Sequence, residues 1–270
     1  MRGCYTESVA SFEHILIAVD DTGIALVTIN RPEKRNALSR AVVQELGAAF
    51  DKVADDAAIR AAIVTGAGDA AFVAGADIGE LTALSAMEMR RYALDGQRVL
   101  RRLETAGKPS VAAVNGYALG GGLELAMAAT VRMASENARL GQPEVKLGLI
   151  PGFGGSQRLP RLVGRGRALH MLLSGEPIDA AEAWRIGLVN AVVPPAELLG
   201  AARGWLEKVL QNGPLAVRLA MEAVDRGLHG GLEEGLQLEA ALFGLNAASE
   251  DRREGTRAFK EKRAPAFTGK

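Results

Sequence analysis

The chain has 270 residues, enough for one large domain or two small ones and for a sizeable buried core. Lys and Arg number 32 together and so do Asp and Glu, so no bulk field draws the chain to nucleic acid or to an anionic membrane. One cysteine, Cys4, near an end expected to fray, excludes an intrachain disulfide framework. With a polar stretch over 1–13 and no apolar run of membrane-spanning length, a reducing, cytoplasmic home is expected.

In chain order, Ile15–Val19 and Ile24–Ile29 are β-rich apolar runs on either side of Asp20-Asp21-Thr22-Gly23, which predicts a hairpin. Pro32 stops the second strand. Ser39 is placed to cap a helix reaching about Ala58, along which Val42, Val43, Leu46, Ala49, Phe50 and Val53 recur at helical spacing. Residues 61–65 read as a short buried strand, 72–77 as a loop, and the following Leu-, Met- and Arg-rich segment as helical to about Glu104. Lys108-Pro109 marks a break before a strand over 111–114. The triplet Gly120-Gly121-Gly122 precedes a short helix over about 123–129, and 131–134 is a further strand. From Gly155 the pattern is mostly helical, over 155–162, 166–173, 179–186, 195–211, 214–228, 231–247 and 250–262, with only Ala191–Val193 strand-like. The reading is a mixed α/β core followed by a helical tail, whose apolar faces suggest an oligomer.

Two glycine segments, Gly75-Ala76-Asp77 and Gly120-Gly121-Gly122, admit two readings. Glycine supplies unusual backbone angles at turns. Alternatively, backbone N–H groups there form an anion site, Gly121 at the start of a helix with unpaired donors and a second donor from the Ala76 loop. Neither segment continues into the Lys-Ser/Thr of a phosphate-binding loop, and Gly152-Phe153-Gly154-Gly155 lacks the strand and the later acidic residue of a dinucleotide fingerprint. Glu124 sits among Leu123, Leu125, Ala126 and Met127, so its carboxylate is either paired or working. The three histidines have no metal-ligand spacing, Ser156 is not in a nucleophile elbow, and no metal site is expected.

Several long motifs occur in order along residues 14–267. They are Asn30-Arg-Pro-Glu-Lys-Arg-Asn-Ala-Leu38, Ala71-Phe-Val-Ala-Gly-Ala-Asp-Ile78, Ala113-Val-Asn-Gly-Tyr-Ala-Leu-Gly-Gly-Gly-Leu-Glu124 and Gly141-Gln-Pro-Glu-Val-Lys-Leu-Gly-Leu-Ile-Pro-Gly-Phe-Gly-Gly-Ser-Gln-Arg-Leu159. On these the chain resembles the enoyl-CoA hydratase/isomerase (crotonase) family. The resemblance implies an α/β, crotonase-like spiral of ββα units over residues 1–195. A C-terminal helical region, 196–270, is then used to build homotrimers or homohexamers made as dimers of trimers.

The resemblance further implies an oxyanion hole from the backbone N–H groups of Ala76 and Gly121, with Glu124 and Glu144 as the catalytic carboxylates. Ala74, Asp77, Ile78 and Gly120 are expected to contact the substrate. The implied activity is reversible syn addition of water to a trans-2-enoyl-CoA, with coenzyme A as part of the substrate and no cofactor. An isomerase of the same family generally needs only the position of Glu144, so the presence of both glutamates favours hydration. Two departures stand out: Gly79 replaces a common lysine, and Thr130 replaces a common aspartate in what is read as a structural role. Some relatives bind RNA through a lysine-rich helix. Here the helix over 39–58 mixes Arg40 and Lys52 with Glu45, Asp51, Asp55 and Asp56, so no nucleic-acid partner is expected.

Overall fold

The structure is a computed structural model that describes the short strand Thr6–Glu7 and residues 12–270; Cys4 and the rest of the first eleven residues lie outside the described residues. The chain forms two compact units, one from residues 1–106 and 110–204 and the other from 107–109 and 205–270.

The first unit begins with β1 (Thr6–Glu7), β2 (Ile15–Val19) and β3 (Ile24–Ile29), and the β2–β3 pair is the predicted antiparallel hairpin. Asp20 closes its turn by accepting from the Thr22 and Ile24 backbone N–H groups at 2.7 and 3.2 Å. Helix α1 (Arg40–Asp55) starts where Ser39 Oγ accepts from the Val42 N–H at 3.2 Å, and its buried face is the predicted apolar stripe. Next come β4 (Ala61–Gly66), β5 (Ala71–Val73), α2 (Ile78–Leu81) and α3 (Ala86–Glu104). The long helical segment expected before Glu104 is therefore two helices. Ser85 and Glu88 form a reciprocal capping box that starts α3 afresh.

The chain continues through β6 (Ser110–Val114), β7 (Tyr117–Leu119), α4 (Gly121–Met127), β8 (Val131–Ser135) and β9 (Arg139–Gly141). Then follow α5 (Gly155–Val163), α6 (Arg165–Ser174), β10 (Ile178–Asp179), α7 (Ala180–Arg185), β11 (Ala191–Val193) and α8 (Leu198–Val209). Among the described residues the strands form two sheets, ordered β1-β2-β3-β4-β6-β8-β11 and β10-β9-β7-β5. From β3 onward the large sheet is parallel, and so is β5-β7-β9 in the small one. Successive strand pairs β4/β5, β6/β7 and β8/β9 each place one strand in either sheet, so the chain advances as a spiral of repeating ββ turns. β4 and β6 are buried throughout, which explains why they read as unbroken apolar runs.

Three of the four three-residue strands among the described residues were not legible. Residues 72–77 hold a strand end, β5, rather than only a loop, and β7 and β9 went unread. At three residues each they are too short for a period, and they exist through pairing with distant segments. Helix α4 begins at Gly121, as the anion-site reading has it and two residues ahead of the span 123–129, and it is wedged against β5. A Cβ on Gly122 would stand 2.0 Å from the Val73 carbonyl oxygen, a distance only glycine avoids. Thr130 has the structural role read for it: its Oγ1 accepts from the Ser110 N–H and its N–H donates to Ser110 Oγ, both at 3.0 Å.

The second unit contains α9 (Pro214–Gly227), α10 (Leu232–Ala247) and α11 (Glu250–Glu261). Ser249 caps α11, and buried Asp251 accepts from the Thr268 and Gly269 N–H groups at 2.7 and 2.9 Å, holding the C-terminal strand of chain against the helix.

Phe50 is the largest fully buried side chain on α1. Phe50→Ala is expected to lower unfolding stability by about 3–5 kcal/mol, read as a reduced denaturant midpoint of the first unit's transition.

Candidate active site

One strand pairing and one glycine bring the predicted donors into a common pocket. Leu38 N–H donates to the Gly75 carbonyl at 2.8 Å and Asp77 N–H donates to the Leu38 carbonyl at 2.9 Å, a parallel bridge centred on Ala76. In such pairing the central residue's own N–H points away from its partner, and Ala76 N–H meets no acceptor among the described residues. On the other side, Gly120 adopts φ 51°, ψ −122°, a conformation for residues without a Cβ. Its N–H donates to the Gly141 carbonyl at 2.9 Å, tying the start of α4 to the end of β9. Gly121 then occupies the first position of α4, where a helix leaves its donors unpaired, and its N–H also lacks an acceptor among the described residues. Ala76, Gly121, Glu124 and Glu144 all line one pocket with a cavity of about 210 Å³.

Glu124, in the first turn of α4, is only 2 % exposed. Its Oε1 accepts two backbone hydrogen bonds, from Phe153 N–H at 2.8 Å and Gly155 N–H at 2.6 Å. Burial raises its pKa from the ordinary 4.5 to about 7. The Gly155 donor opposes that rise, the Glu144 charge adds to it, and the Phe153 donor and Arg158 charge oppose it. Desolvation therefore wins over two hydrogen bonds and a nearby cation, leaving a carboxyl group that can hold or release a proton near neutrality.

Glu144 opens a single 3-10 turn, Glu144–Leu147, directly after β9. It is half-buried, and burial raises its pKa as well. A Cβ on Gly120 would lie 3.0 Å from Glu144 Oε1, so the glycine at that position also makes room for the carboxylate. The fully buried Gln142 side chain, with its amide nitrogen turned towards Glu144, donates to Oε1 at 2.9 Å and Oε2 at 3.2 Å. Gln142 thereby orients the second carboxylate.

The loop that holds Glu124 is itself anchored. Arg158 on α5 forms a two-pronged ion pair with Glu104 at the end of α3, Nη2 lying 3.0 Å from Oε2. The Arg158 Nη1 donates to the Phe153 carbonyl at 2.6 Å. The guanidinium thus fixes the peptide segment whose N–H groups grip Glu124.

Of the expected substrate contacts, Ala74, Ile78 and Gly120 line the pocket, while Asp77 lies outside its lining. Asp77 precedes α2 with its carboxylate 3.5 Å from the Arg31 guanidinium. Sequence reasoning did not single out Gln142, Phe153, Arg158 or Tyr92. Gln142, Phe153 and Arg158 stood inside the long motif around Glu144, but their roles depend on contacts with Glu124, Glu144 and Glu104 that no local spacing reveals. Among the described residues no three His, Cys, Asp or Glu side chains cluster as metal ligands, and no helix is long and apolar enough to cross a membrane.

Folded Glu124 keeps its proton up to about pH 7, whereas in the unfolded chain it ionises near 4.5. The folded state therefore binds more protons across that window, and this contribution to stability is lost as pH rises through it. Glu124→Gln removes the dependence. Relative to wild type, the variant should gain about 3 kcal/mol between pH 4.5 and 8, checked by denaturant unfolding at both values.

The enoyl-CoA hydratase/isomerase family profile matches residues 20–270. The chain is 47 % identical over 260 residues to a crotonyl-CoA hydratase of Syntrophomonas wolfei, covering 96 % of this chain and 100 % of that protein. It is 47 % identical over 240 residues to a short-chain-enoyl-CoA hydratase of Clostridium acetobutylicum, covering 89 % and 92 % of the two chains. The solved structure of an enoyl-CoA hydratase from Bacillus anthracis superposes with a TM-score of 0.92 at 40 % identity, covering 96 % of this chain and all of that one. The spiral core, the carboxylate pair and these matches agree: the chain is a member of the enoyl-CoA hydratase/isomerase family and carries its crotonase fold.

Proposed function

We propose that this chain hydrates trans-2-enoyl-CoA thioesters to 3-hydroxyacyl-CoA, with Glu124 and Glu144 acting together on one water. The observation that carries the reading is the buried Glu124, with its proton affinity raised to about 7, sharing a pocket with Glu144 and two unpaired backbone donors. The thioester carbonyl oxygen accepts from the N–H groups of Ala76 and Gly121. As the water oxygen bonds to Cβ, the π electrons move towards the thioester and the oxygen gains enolate charge, which the two donors stabilise. Glu124 orients the water and draws on its proton. The pair holds one proton between them; Glu144 is the group that passes a proton to Cα, and the proton displaced from water returns to the carboxylate pair. The pair therefore ends with the one proton it started with, and no electron leaves the system. The chemistry calls on coenzyme A as part of the substrate and on no further cofactor.

A cavity of about 210 Å³ lies below the usual range of about 300–1,000 Å³ for ligand pockets, which favours a short acyl group. The names of the relatives, crotonyl-CoA hydratase and short-chain-enoyl-CoA hydratase, point the same way. Such a substrate belongs to fatty-acid or related acyl-CoA degradation in the cytoplasm.

The decisive experiment follows the loss of enoyl-thioester absorbance with crotonyl-CoA. Wild type should hydrate it, and Glu124→Gln and Glu144→Gln should each lose about 10²- to 10⁴-fold in rate. A wild type inert on crotonyl-CoA but active on a 3-enoyl-CoA, with only Glu144→Gln impaired, would establish an isomerase instead.

The proposal extends to assembly through the helical region, 196–270. On α10, Leu232 is 80 % and Phe243 76 % exposed, and no residue of that helix is buried within the chain. Isolated exposed leucines are ordinary, but a run of large apolar side chains left exposed along one helix, Leu232, Leu236, Phe243 and Leu245, is not. Neighbouring copies of the chain are assigned as that cover, in a homotrimer or a pair of trimers. Light scattering should give three or six times the 28.3 kDa chain mass. A monomer at micromolar concentration would remove this part of the reading.

A further inference from the structure

Tyr92, in the second turn of α3, forms part of the walls of two cavities. On one side is the catalytic pocket, where Leu81, Met89 and Ala93 provide apolar surface. On the other is a larger cavity of about 490 Å³ between the first turns of α1 and α3, to which Val43, Gln44 and Met87 contribute. The hydration chemistry has no use for that second space. Its charged rim is formed by Arg40, Glu88, Arg91 and Asp95, and the two arginines carry stems that can cover apolar ligand surface while their heads reach solvent.

The ring between them is fixed at two points. The Tyr92 hydroxyl donates to the Leu38 carbonyl at 3.3 Å, the same carbonyl that accepts from Asp77 in the bridge around Ala76. The ring lies 5.0 Å from that of Phe153 at a 49° tilt. Burial, then the charges of Glu80, Glu124 and Asp77, push the phenol above its ordinary pKa, so it stays a neutral donor.

We propose that Tyr92 is the partition that limits acyl length: with the ring in place an enoyl group ends in the catalytic pocket, and without it the distal methylenes run on into the cavity lined by Val43 and Met87. The ligand that the second cavity admits once the ring is removed is a straight-chain enoyl thioester of medium length, its distal methylenes lying against Val43 and Met87. This inference rests on the hydratase reading of the pocket.

The test compares kcat/KM for crotonyl-, hexenoyl-, octenoyl- and decenoyl-CoA in wild type, Tyr92→Phe, Tyr92→Ala, Met87→Trp and the Tyr92→Ala/Met87→Trp double variant. A single methylene in an apolar pocket changes kcat/KM by about 10- to 200-fold. Wild type should therefore fall by at least about tenfold from crotonyl- to octenoyl-CoA. Tyr92→Ala should raise the octenoyl-to-crotonyl ratio by about tenfold or more, while Tyr92→Phe, which keeps the ring, should hold the wild-type ratio. Met87→Trp alone should leave the wild-type ratio and crotonyl rate unchanged, yet return the ratio towards wild type when added to Tyr92→Ala. If Tyr92→Ala does not fold, Tyr92→Leu takes its place.

A wild type that hydrates crotonyl- and octenoyl-CoA alike overturns the partition. So does an unchanged ratio in the truncated variant, or a rise that Met87→Trp fails to reverse. Each of these leaves the hydratase assignment standing. Absence of hydration of all four thioesters by wild type overturns the functional reading, and the partition with it.

Discussion

The carboxylate of Glu124, taken out of water and held by the N–H groups of Phe153 and Gly155, is the constraint around which the rest of the molecule is arranged. An ionisable group buried to 2 % exposure is unfavourable unless it is bonded, and two backbone donors on one oxygen meet that need. Those donors have to be held still, which is the part played by the Arg158 guanidinium between Glu104 and the Phe153 carbonyl. The outcome is a balance: desolvation raises the proton affinity of Glu124, while the donors and Arg158 stop it rising further. A group left near neutrality in this way suits acid–base work.

The backbone is shaped to the same end. Only a residue without a Cβ can place α4 against β5, as Gly122 does, or turn the chain at Gly120 while leaving room for Glu144. The bridge between Leu38 and Ala76 turns one N–H towards the pocket side, and the helix start at Gly121 leaves another unpaired. Gln142 restrains the second carboxylate from the strand side. Donors, carboxylates and apolar wall therefore come from four separate stretches of chain, brought together by the alternation of strands between two sheets. Tyr92 links this machinery to the wall, since its hydroxyl rests on the Leu38 carbonyl that also aligns the Ala76 loop.

Local physics makes much of this legible. The hairpin around Asp20, the Ser39 cap with the apolar stripe of α1, the unbroken apolar runs of β4 and β6, and the succession of C-terminal helices follow from turn chemistry, capping and periodicity. Glu124 stood out because a carboxylate among Leu123, Leu125, Ala126 and Met127 demands a partner or a task. The motif order pointed to the crotonase family, and the family profile and relatives agree.

What the sequence by itself determined is thus the type of most elements, the family, and which carboxylates were worth attention. Only the tertiary structure decided the short strands β5, β7 and β9, the break between α2 and α3, the orienting role of Gln142, the Arg158 anchor and the place of Tyr92 between two cavities. The physical reason is range. Caps, turns and apolar periods act over a few residues and leave a local pattern. Three-residue strands, desolvation and a wall shared by two cavities arise from groups separated by tens of residues, and no local pattern encodes them.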